Sequence, residues 1–175
     1  MELAEWLTRG TVWLALSLYV AAEMVAAFRT GASASAIARW LNGLAVVVFL
    51  LHVVCAFHFY HQWSHAVAYV DTARQTAEFS GWNWGGGLYL NYLFAFVWLT
   101  ELIWSWASPT TFARRPRWIG RGVRGFLVFM IFNGAVVFAR SPMRWYGLVL
   151  CALLVICWWR LWKRDADRTY KSKSA

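Results

Sequence analysis

The chain has 175 residues, of which 61% are hydrophobic and only 14% charged, with 14 Trp and a formal net charge of +9. A soluble domain carries about 25% charged residues, so the composition excludes an ordinary water-soluble fold. It also argues against a nucleic-acid partner, because the Arg and Lys residues lie in short stretches between apolar runs instead of on one polar surface.

The first apolar run, about 11–28, matches the ~20 residues that cross a hydrocarbon core. With the small residues at 31–36 it imitates a secretory signal. Glu2 and Glu5 precede it, Glu23 lies inside it and Arg29 follows it, so it is read as a retained span. The second span starts near Leu41 and is read as one helix over about 41–69. A short polar helix outside the membrane follows at about 72–79, with Thr72 and Gln75 as a capping box and Gly81 as its stop. The 82–87 turn, Trp-Asn-Trp-Gly-Gly-Gly, leads into a third span at about 88–107, which Pro109 terminates. A basic loop occupies 114–124, a fourth span about 122–139, a turn 140–144 and a fifth span about 145–162, before a charged tail. No repeat and no linker divide residues 1–175. The expectation is a single all-α integral membrane bundle of about five transmembrane helices.

An odd number of spans sorts the charges. Two basic residues in the 29–40 loop, five in the 108–124 loop and six from Arg160 onward share one side, leaving only Arg9, Arg74, Arg140 and Arg144 on the other. By the positive-inside tendency the crowded side is cytoplasmic, which puts the N-terminus outside and the C-terminus inside. The aromatics fall into matching belts, with Trp6, Trp13, Trp63, Trp82, Trp84 and Trp145 outside and Trp40, Trp104, Trp106, Trp158, Trp159 and Trp162 inside. This distribution predicts a multi-pass protein of a bacterial inner (plasma) membrane, whose basic loop touches anionic headgroups.

Chemistry-bearing residues are few. Cys55, Cys151 and Cys157 lie in apolar runs with no C-x-x-C spacing and read as buried hydrophobes. On one continuous helix His58, His61 and His65 share a stripe at i, i+3 and i+7. Imidazole is a common metal ligand, so this stripe, completed by Asp71 or Glu78, is a candidate outer site for a transition metal or haem. The alternative is interfacial histidine satisfied by water or a partner subunit. Glu23, His52 and Glu101 form a candidate intramembrane polar cluster, since ionisable groups at such depth face the bundle interior. They are read as locking the helices, moving a proton or ion, or holding a metal. Asn133 is a further partner for them, and the glycine turn with Asn91 is a candidate wall of an outer pocket.

Three functions fit these residues. The first is a non-catalytic accessory or structural subunit of a larger membrane complex, bound to other membrane subunits or to copies of itself. The second is a metal- or haem-binding protein in redox or metal handling. The third is a small proton- or ion-coupled transporter. No catalytic motif points to an enzyme.

Overall fold

The structure is a computed structural model that describes residues 2–139, 141 and 143–173; Arg140 of the predicted outer turn lies outside the described residues. Every regular element among them is helical: α1 (Glu2–Phe28), α2 (Ala32–Phe59), α3 (His65–Ser80), α4 (Gly87–Ala107), α5 (Pro109–Arg114), α6 (Arg117–Phe132), a π-helical turn (Asn133–Val137) and α7 (Met143–Lys173). Five stretches are long and apolar enough to cross a membrane: Leu3–Phe28, Ala32–Phe59, Gly87–Ala107, Arg117–Val137 and Met143–Arg164.

α1 and α2 form a long antiparallel hairpin whose link turns at Gly31, at φ 108. Their contact is lined by alanines, including the fully buried Ala15 and Ala45 and the nearly buried Ala22 and Ala34. In lipid the solvent is as apolar as the side chains, so helices associate through close van der Waals contact, which small residues permit. α4, α6, the π turn and α7 complete the core with Phe94, Trp98, Leu127, Ile131, Ala135, Leu150 and Leu154. Trp98 is its centre at 1% exposure. Its ring meets Tyr19 edge-on at 5.1 Å, and its indole N–H donates to Asn42 Oδ1 at 2.9 Å. A buried indole donor needs such a partner, and Asn42 supplies one without a charge.

The expected single helix over 41–69 is two helices. α2 stops at Phe59, Gln62 and Trp63 take left-handed φ values of 48 and 58, and Ser64 caps α3 by accepting from Val67 N–H at 3.3 Å. The outer helix therefore begins at His65, not at Thr72, and Gly81 ends it at φ 75 with its N–H on Ala77 O. α4 does end at Ala107, ahead of Pro109 as expected, and Pro109 then opens the separate short α5 at its first turn, where a missing N–H costs nothing. One other boundary moves. α6 begins at Arg117 instead of about 122, then changes pitch at Asn133, where Phe138 N–H reaches back five residues to Asn133 O.

The π turn shapes the packing. A Cβ added at Gly147 of α7 would collide with the backbone carbonyl of Ala135. The wider turn presents that carbonyl to α7, and only glycine admits it.

Candidate functional site

The predicted trio of Glu23, His52 and Glu101 does not assemble. His52 Nδ1–H donates to the carbonyl of Thr8 at 2.8 Å. Thr8 and Glu23 are fifteen residues apart on α1, about 22 Å along a helix, so His52 and Glu23 lie at different depths. The misplacement follows from the helix end. A span over 41–69 has its midpoint near 55, whereas ~20 residues counted back from Phe59 put the middle near 50, so His52 moves to the α3 side of the middle.

Glu23 and Glu101 both lie toward the opposite ends of their spans from α3, and each is engaged by an arginine from the supposed surface loop. Both carboxylate oxygens of Glu101 accept from Arg115 Nη1, and the two side chains are only 15% and 10% exposed. Arg115 is boxed by the Phe112 ring, 4.0 Å below its guanidinium carbon, by Trp104 at 5.9 Å, and by the bare backbone of Gly120, where a Cβ would come within 3.3 Å of its Nε. Glu23 Oε2 lies 3.7 Å from Arg124 Nε. Tyr19, buried between the pairs, is within electrostatic reach of Glu23, Glu101 and Arg124. Arg164 of α7 adds a bond to Ala26 O at 3.1 Å. Burying one charge in a medium of low dielectric is prohibitive, but an ion pair with its lone pairs filled is tolerated. These contacts tie α1, α4, α6 and α7 together. Asn133, the other expected partner, instead donates to Phe129 O within its own helix.

The histidine stripe is broken with its helix. His58 stays on α2, its ring against Phe59 and Trp63. His61, in the link, donates to Asp71 Oδ2 at 3.2 Å, and Arg74 holds the other oxygen of Asp71 at 2.9 Å. His65 opens α3 and shares a 3.1 Å hydrogen bond with the Tyr92 hydroxyl of α4. Glu78 lies at the far end of α3. Among the described residues no three His, Cys, Asp or Glu side chains gather as a metal site, which removes the geometric basis for the outer metal site on His58, His61, His65, Asp71 and Glu78. These contacts fasten α3 onto α2 and α4 instead. Purified protein carrying His58→Ala, His61→Ala and His65→Ala together is expected to hold the same metal content as the parent, checked by elemental analysis.

The glycine turn closes on its own neighbours. A Cβ at Gly85 would meet the Tyr69 carbonyl and ring, and one at Gly86 would enter the Trp84 ring. Asn91 is exposed. A cavity at this end of the bundle lies elsewhere, between the start of α1, the end of α3, the π turn and the start of α7, with a volume of about 1300 Å³. Glu5, Arg9, Trp13, Ser17, Glu78 and Tyr146 are among its walls. Glu5 and Arg9 pair across one helical turn, and the Ser17 and Tyr146 hydroxyls bond at 2.8 Å on its floor.

The arginine partners of Glu23 and Glu101 were not visible by spacing, because they come from another part of the chain. The one sequence signal was stoichiometric: two carboxylates within spans, beside a loop with five arginines. Protein-family models, curated proteins and solved structures yield no match to the chain.

Proposed function

We propose that the chain is a non-catalytic accessory or structural subunit of a larger membrane assembly, a polytopic protein of a bacterial inner membrane with its N-terminus outside and its C-terminus in the cytoplasm. One observation carries the reading: the two glutamates and the histidine deep within the spans are spent on arginines or on backbone. Glu101 is taken by Arg115, Glu23 by Arg124 and His52 by the Thr8 carbonyl. A proton carrier or a cation site needs a carboxylate with free lone pairs facing a path, and a guanidinium on each carboxylate opposes that. The same contacts suit a rigid scaffold, because each joins two helices that lipid alone would not press together. The orientation follows from thirteen of the seventeen basic residues sharing one side.

The experiment is purification of the full chain from its native membrane in a mild, lipid-preserving detergent, with mass determination of the intact particle. The expected result is a particle of fixed stoichiometry holding other membrane chains or further copies of this one. A monodisperse single copy that alone catalyses a reaction, or a reconstituted chain whose ion flux is lost with Glu101→Gln, would contradict the reading.

A further inference from the structure

The outer ends of the spans carry the polar contacts of α3, but the inner half of α2 and α4 presents a different surface. A groove of about 1040 Å³ runs between them, walled almost wholly by apolar atoms of Ile37, Leu44, Val47, Leu102 and Ile103, with Trp40 and Trp106 at its end. Gly43 lies on its floor. A Cβ there would meet Leu102 only at 3.9 Å, an ordinary contact, so the groove is deep because the glycine lacks a side chain and not because packing demands one.

Its position in the bilayer follows from the two tryptophans. Trp40 and Trp106 touch edge-to-face at 4.7 Å, so they lie at one level. Twenty residues from Trp40 along α2 lead to Tyr60, where the helix ends, and twenty back from Trp106 lead to Gly86, where α4 begins. Twenty helical residues measure about 30 Å, the thickness of the hydrocarbon core. The Trp pair therefore stands at one headgroup boundary. From Trp40 to Val47 the groove descends about 10 Å, most of the depth of one leaflet.

Arg39 stands at the mouth. Its guanidinium carbon is 5.9 Å from the Trp106 ring centre, and among the described residues it has neither an ion pair nor a hydrogen bond. It thereby differs from Arg115 and Arg124. A cation over an aromatic face at the headgroup level, above an apolar channel one acyl chain deep, is complementary to one molecule of the surroundings: a phospholipid with its phosphate on the guanidinium and a chain in the groove.

We propose that the α2–α4 groove is a specific binding site for one anionic phospholipid, with Arg39 holding the headgroup, Trp40 and Trp106 bracketing the glycerol level and Gly43 making room for the chain. The site is independent of the subunit reading. It is tested on the full chain in detergent by native mass spectrometry, titrating phosphatidylglycerol and phosphatidylcholine separately. The expected result is saturable retention of one phosphatidylglycerol, with phosphatidylcholine retained less. Arg39→Gln is expected to weaken phosphatidylglycerol retention about fivefold and to leave phosphatidylcholine unchanged, while Arg39→Lys keeps most of the preference. Gly43→Leu, which fills the floor, is expected to abolish retention of both lipids, and Gly43→Ala to preserve the folded elution profile with reduced retention. Equal retention of the two lipids, indifference to Arg39→Gln in a folded variant, or a groove occupied by a second copy, seen as a disulfide-linked dimer of Gly43→Cys, would overturn the proposal.

Discussion

Arg115→Ala is expected to destabilise the protein by about 3–5 kcal/mol, the cost of leaving one partner of a buried ion pair without the other. The size follows from where the pair lies. Glu101 and Arg115 are 15% and 10% exposed, and Arg115 Nη1 donates to both carboxylate oxygens in place of water. Glu101→Ala should cost about as much, because it strands the guanidinium between Phe112, Trp104 and Gly120. The double replacement Glu101→Leu with Arg115→Met should recover most of the loss, since the desolvation penalty disappears with both charges. A double-mutant cycle from reversible unfolding in mixed micelles gives the coupling directly. The ion pair of Arg74 with Asp71, whose arginine is 68% exposed, is the control, and its loss should cost under ~1 kcal/mol. Were Arg115→Ala to cost no more than Arg74→Ala, the buried pair would not be what joins α4 to the inner loop.

Gly147→Ala is expected to be destabilising by about 1–3 kcal/mol, the usual range for forcing one extra carbon into filled space. The sign is informative. In a helix interior, alanine is better than glycine by up to about 1 kcal/mol, so a loss identifies a collision. The collision here is with the carbonyl of Ala135, which belongs to backbone and has no rotamer to yield. Gly122 of α6 has nothing within 4 Å of its missing Cβ, and Gly122→Ala should be neutral or stabilising in the same assay. Gly147→Leu should be worse than Gly147→Ala. If all three variants behaved alike, the close approach of α7 to the π turn would be refuted.

Hydropathy was enough to locate the five apolar helices, because the hydrocarbon thickness fixes how many apolar residues a helix must supply. It located their ends poorly. A helix costs little to extend once formed, so α1 and α2 run back to Glu2 and Ala32 through residues of mixed polarity. The break at Gln62 and Trp63 was invisible for the opposite reason. Neither residue is a breaker, and the signal was Ser64, whose oxygen caps α3. That missed break carried the site errors with it. It made one stripe of His58, His61 and His65, and it moved His52 to the depth of Glu23 and Glu101. The ion pairs of Glu101 and Glu23 depend on Arg115 and Arg124 turning into the bundle from a loop that reads as solvent-facing, and only tertiary packing decides that. The composition did carry one lasting message, that the carboxylates within the spans need partners.

The most direct test of the whole account is the compartment of the two chain ends. Single cysteines at Leu3 and Ser172, in a chain with Cys55, Cys151 and Cys157 replaced by alanine, are probed with a membrane-impermeant maleimide in intact cells and again after lysis. Five crossings with the proposed orientation predict that Leu3→Cys reacts in intact cells and Ser172→Cys only after the membrane is opened. Labelling of both positions from one side of the membrane would contradict five crossings, and with them the placing of the Glu23 and Glu101 ion pairs within the spans.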